Sequence, residues 1–119
     1  MADELTQIRF AQNQSIFRAS NERIEAAADA IGLYAPVPFI CECPVTSCSE
    51  LVRMAIEEFE RVRQDPPRFF TAPGHETLSV DAGVAVVLER QDGYVLIETI
   101  GVAAEIATED HQRLSDPAA

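Results

Sequence analysis

At 119 residues the chain has the length of one domain, and its 47% hydrophobic content supports a folded core. Net charge is −11, from 20 acidic against 9 basic residues, and every basic residue is Arg. This balance disfavours nucleic-acid backbones and anionic membrane surfaces as partners, and favours solubility and protein contacts. An odd count of 3 cysteines argues against a secreted disulfide framework. No signal-like segment or membrane-length apolar run is visible, so a cytoplasmic protein with reduced thiols is expected. The chain has no Trp, and a metal staple would help a core this small.

In chain order, residues 3–32 read as one long helix. Asp3 and Glu4 suit its N-terminal dipole end, and Gly32 with Pro36 supplies the stop. Phe10, Phe17, Ile24 and Ile31 recur every seven residues as a one-row apolar ridge. That ridge either docks on the domain's own sheet or forms a seam with a second copy or another protein. Residues 33–109 read as a compact α+β unit and residues 110–119 as a flexible tail.

Pro36 and Pro38 hold the linker extended into Phe39. A hairpin follows, with its return strand over Ser49 to Met54. A second helix covers Ala55 to Gln64; it buries Ile56, Phe59 and Val62 and leaves Glu57, Glu58, Glu60 and Arg61 in water, with Glu57 and Arg61 paired. Arg68 to Thr71 is a short strand with Phe69 and Phe70 on opposite faces. Pro73-Gly74 turns the chain, and Glu76 to Asp81 is read as irregular. Gly83–Arg90 and Tyr94–Ile100 form a second hairpin through Asp92-Gly93. Both its faces are largely apolar, so the first helix is expected on one and the second helix or a partner on the other. Val102–Glu109 can form a short terminal helix. The predicted fold class is α+β, with a long and a shorter helix packed on a small antiparallel sheet.

The chemistry concentrates in Cys41-Glu42-Cys43-Pro44-Val45-Thr46-Ser47-Cys48, which holds every cysteine. Residues two apart on a strand share a face, so Cys41 and Cys43 lie together. A four-residue loop over Pro44–Ser47 puts Cys48 opposite Cys43, at roughly 5 Å between Cβ atoms. His75, 27 residues beyond Cys48 in the Pro-Gly turn, is the expected fourth ligand of a Cys3His structural zinc site. Three other readings compete: buried core cysteines, a Cys43–Cys48 disulfide with Cys41 spare, and a catalytic thiol. Glu42 and Glu50 would raise the thiol pKa and weaken the last. His111, in the polar tail, is the poorer ligand candidate. No catalytic carboxylate pair, phosphate loop or nucleophile elbow is present.

These pieces also resemble a family of small bacterial proteins. The resemblance is carried by Phe17-Arg18, Asn21-Glu22-Arg23-Ile24, Cys41-Glu42-Cys43 with Cys48, Glu58 to Arg63, Pro67-Arg68-Phe69, Ala72-Pro73-Gly74-His75 and Gly93-Tyr94. It implies that the cysteines and the histidine belong to one pattern. Met54-Ala55 departs from it where a Thr or Ser cap is expected, which bears on the start of the second helix. The expected function is a non-enzymatic zinc-stapled interaction or regulatory module; the alternative is a redox or metal sensor using Cys41, Cys43 and Cys48.

Overall fold

The computed structural model describes residues 2–33 and 35–115, with side chains through residue 113. Part of the expected tail, residues 116–119, lies outside the described residues. The fold is α+β, in the order α1 (Glu4–Ala30), β1 (Val37–Ile40), β2 (Leu51–Met54), α2 (Ile56–Arg63), β3 (Arg68–Thr71), α3 (Thr77–Asp81), β4 (Ala85–Arg90), β5 (Val95–Thr99) and α4 (Gly101–Ser115). No helix among the described residues is long and apolar enough to cross a membrane.

Helix α1 starts where Asp3 caps it, its carboxylate accepting from the Thr6 amide at 2.8 Å. Its end is closed by Gly32 in the left-handed region (φ 67°), with the Leu33 amide donating to Ala28 O at 3.0 Å. The face it buries is Ala11, Gln14, Arg18, Asn21, Glu25 and Ala28. Phe10, Phe17 and Ile24 flank that face half-buried, while Ile31 lies past the helix end and is 77% exposed. The expected ridge is thus a shoulder of α1. The centre of its contact face is polar because it must partner a buried charge beneath it.

Strands β1 and β2 pair antiparallel, with Val37 opposite Met54 and Ile40 opposite Leu51. The other three strands form a separate antiparallel sheet in the order β3-β5-β4. A register shift between Val87 and Glu89 interrupts the β4–β5 ladder. Two small sheets therefore replace the single one expected. They meet where the Glu42 amide donates to Phe70 O at 3.0 Å.

Phe69 and Phe70 do face opposite ways. Phe69 joins Ala85, Val95, Ile97 and Ala107 under α4. Phe70 joins the main core of Val37, Phe39, Val52, Met54, Phe59 and Val62. There Phe39 stacks on Phe59 at 4.5 Å between ring centroids, and Phe70 meets both edge-on at 6.4 and 6.2 Å. Helix α4, and not α1, covers the outer face of the three-stranded sheet. It runs six residues beyond the expected Glu109, to Ser115, and its Ala103, Ile106 and Ala107 pack inward against the sheet and against Phe10 and Ala11 of α1.

Three smaller differences concern the helices. Segment 76–81, read as irregular, contains α3, whose Ser79 is buried. In α2, Glu58 is half-buried because it accepts from the Tyr94 hydroxyl at 2.9 Å. No Glu57–Arg61 ion pair forms among the described residues; Arg63 instead reaches Glu60 at 2.9 Å, Glu25 at 3.1 Å and Glu22 at 3.5 Å. As the missing Thr or Ser foretells, Ala55 gives α2 no side-chain cap.

Candidate metal centre

The β1–β2 ladder stops at Ile40 and Leu51, and one further bond, Cys41 N to Glu50 O at 2.9 Å, extends it. From Glu42 the arm leaves β2, since its amide bonds to Phe70 O and Pro44 has no N–H to donate. The tip is thus an irregular loop rather than a regular hairpin end, closed by the Cys48 amide on Val45 O at 3.0 Å. Strand parity survives this: Cys41 and Cys43 sit on one side, 0% and 1% exposed, and Cys48 comes back beside them, half-buried.

His75 arrives from β3. The turn Ala72-Pro73-Gly74-His75 is closed by the His75 amide on Ala72 O at 2.9 Å, with Gly74 at φ 93°. Its Nδ1 lies 3.5 Å from Cys48 Sγ and 3.7 Å from Cys41 Sγ. The ligand atoms of Cys41, Cys43, Cys48 and His75 all lie within 4.8 Å of one another, so the four residues are placed to hold a metal ion. Metal–sulfur bonds of about 2.3 Å and metal–nitrogen bonds of about 2.0–2.1 Å at tetrahedral angles require S···N separations of about 3.6 Å. The observed pair brackets that value.

All three cysteines are free thiols, so the disulfide reading of Cys43 and Cys48 is not what the fold adopts. Hydrogen bonding from the Cys41 thiol, aided by the Val45 amide, His75 and Cys48, pulls Cys43 down to about 5. The same contact, with burial, pushes Cys41 up, and burial pushes Cys48 up. Three sulfurs this close cannot all ionise in a buried site without a cation among them, and a metal ion removes that conflict. The Ala72 amide donates to Cys41 Sγ at 3.2 Å, and the main-chain amides of Val45 and Glu50 act to hold down the pKa of Cys43 and Cys48. Amides aimed at sulfur stabilise thiolate charge, as they do around bound metals.

The expected influence of Glu42 on the thiols is overturned. Its side chain is fully buried on the opposite side of the arm, against α1. There it takes Arg18 Nε and NH2 at 2.8 and 2.9 Å, Asn21 Nδ2 at 3.0 Å and the Phe70 amide at 3.3 Å. Glu50 acts through its main-chain amide, which opposes the rise that burial imposes on Cys48. His111, on α4, lines a small cleft with Ser15 and Pro66 and is not one of the clustered ligands. Sequence reasoning missed Gln14, Arg18 and Asn21 as partners of the ligand loop. Their signal was present: polar residues at 14, 18, 21 and 25 keep the three- and four-residue spacing of a buried helix face.

Scanned against protein-family models, curated proteins and solved structures, the chain finds no match in any of the three, and the reading of its site rests on geometry.

Proposed function

We propose that Cys41, Cys43, Cys48 and His75 bind one structural zinc ion, and that the protein is a non-enzymatic interaction or regulatory module of a reducing, cytoplasmic compartment. The observation that carries the metal reading is the pair of Sγ–Nδ1 separations, 3.5 and 3.7 Å, inside a four-atom cluster no wider than 4.8 Å. Three thiolates and one imidazole are a preferred zinc set, and four protein ligands leave no coordination position for a substrate or an attacking water. Zinc would join the ligand loop between β1 and β2 to the turn after β3, two segments otherwise bridged by few bonds. Contact with a protein partner or a second copy would use the acidic exterior and the Phe10, Phe17, Ile24 and Ile31 shoulder of α1, of which Ile31 is 77% exposed.

Metal analysis of protein purified without chelators tests the reading. About one zinc per chain is expected, and cobalt substitution should give intense thiolate charge-transfer absorption with tetrahedral d–d bands. His75→Ala should weaken binding and lower stability together. Metal-free wild-type protein that takes up neither ion would overturn the reading. Light scattering at rising concentration, with Phe17→Asp as the comparison, tests self-association.

The half-buried position of Cys48 and His75 favours one second reading, a thiol-based redox or metal sensor. Solvent reaches that edge, so peroxide could oxidise two zinc-bound thiolates to a disulfide, itself reduced to water, with release of the ion. Reversible zinc release at low peroxide supports this role; zinc retained under those conditions removes it.

A further inference from the structure

The arm that carries the first two ligands is gripped on its other side by α1. Asn21 Nδ2 donates to Ile40 O at 2.8 Å and Asn13 Nδ2 to Pro44 O at 2.8 Å, while the Ile40 amide donates to Asn21 Oδ1 at 2.8 Å. Between them, Gln14 Nε2 approaches Glu42 O at 3.5 Å, and Arg18 closes a two-point ion pair on the Glu42 carboxylate. Residues 40, 42 and 44 therefore answer to the helix, and residues 41 and 43, alternating with them, answer to the thiol cluster. Arg18 is further fixed over the Phe69 ring, 4.4 Å from its centroid, and by a hydrogen bond to Arg68 O. The helix thus holds both the ligand loop and the start of the strand that delivers His75.

We infer that Asn13, Gln14, Arg18 and Asn21 are positioning residues of the metal centre, and that seating of α1 and metal affinity are linked. The inference rests on the zinc reading. Its physical basis is that an extended arm cannot aim Cys41 and Cys43 while its opposite side is free to rotate. A buried Glu42 is stable there only with its cation and amide partners in place. Linkage is reciprocal: whatever factor the seated helix adds to zinc affinity, bound zinc adds to the equilibrium for seating the helix. Groups that orient ligands typically change metal affinity about 10–100-fold.

The test measures zinc affinity of the full chain by competition with a chromogenic chelator, and α1 amide exchange with and without zinc. Arg18→Met should bind zinc about 10–100-fold more weakly than wild type. Should that variant fail to fold, Asn13→Ala, which removes only the half-buried bond to Pro44 O, should still show a several-fold loss. The control is Val95→Ala, a truncation in the buried cluster under α4, which contains none of the cysteines; it should lose stability and keep wild-type zinc affinity. Zinc should also slow exchange of α1 amides between residues 13 and 25. Seam variants that bind zinc like wild type, or a control that loses as much affinity as they do, would overturn the linkage alone. Wild-type protein that binds no zinc would overturn the zinc reading, and the linkage with it.

Discussion

The side-chain amide of Asn21 satisfies both main-chain groups of Ile40: its Oδ1 accepts from the Ile40 amide at 2.8 Å and its Nδ2 donates to the Ile40 carbonyl at 2.8 Å. In effect one residue of α1 serves as a strand partner along the free edge of β1, immediately before the first cysteine. Only a carboxamide offers a donor and an acceptor side by side at that reach.

Asn21→Ala should therefore cost about 1–3 kcal/mol in urea unfolding, since it removes a fully buried side chain and strands the half-buried N–H and C=O of Ile40. Asn21→Asp should cost more. It keeps the shape but brings a second carboxylate to the 3.0 Å contact that Asn21 makes with Glu42. Equal losses for the two variants would mean that Glu42 is not the charge this asparagine serves.

Gly74 stands at φ 93° directly before His75, with open space where a Cβ would go. A substitution there meets no neighbour, so its cost is purely backbone, about 1–2 kcal/mol for leaving or tolerating the left-handed region. Gly74→Ala should lower both the melting temperature and zinc affinity, because relief of the strain swings the imidazole away from the sulfurs. Unchanged affinity would show that the turn tolerates the side chain in place.

Phe59 is 0% exposed and lies between Phe39, Phe70 and the guanidinium of Arg18, whose Cζ is 5.9 Å from its centroid. Phe59→Ala should destabilise by about 3–5 kcal/mol, a large share of the stability expected for a domain of this size. Chemical denaturation followed by far-ultraviolet circular dichroism reads this directly. A loss under about 1 kcal/mol would mean that the aromatic cluster collapses to fill the gap.

Glu25 is buried between α1 and α2, where burial and then a hydrogen bond to Glu60 raise its pKa to about 7 against the pull of Arg63. A carboxyl raised on folding stabilises the folded state while protonated. That contribution is complete below its unfolded value of 4.5 and is lost as the pH climbs through about 7. Glu25→Gln mimics the protonated form. Zinc-loaded variant should melt higher than wild type at pH 8, with the gap shrinking towards pH 6. Glu60, which shares the proton and is shifted down, titrates in the opposite sense and lies below this window. A gap that does not change with pH would show that Glu25 is ionised throughout.

Local sequence determined much of this protein: the extent of α1 from its Asp3 cap to Gly32, the β3 segment and its opposed phenylalanines, and the pairing register of the first two strands. It also placed Cys41, Cys43 and Cys48 on one side of an arm and His75 on a Pro-Gly turn, because strand parity and turn chemistry act over a few residues. Only the tertiary structure decided which face of α1 is buried. Hydrophobic spacing favours the Phe10–Ile31 row, yet the face that packs carries Gln14, Arg18, Asn21 and Glu25. A polar side chain has no fixed preference for the interior until a partner is present. For Arg18 that partner is Glu42, 24 residues away along the chain and 2.8 Å away in space.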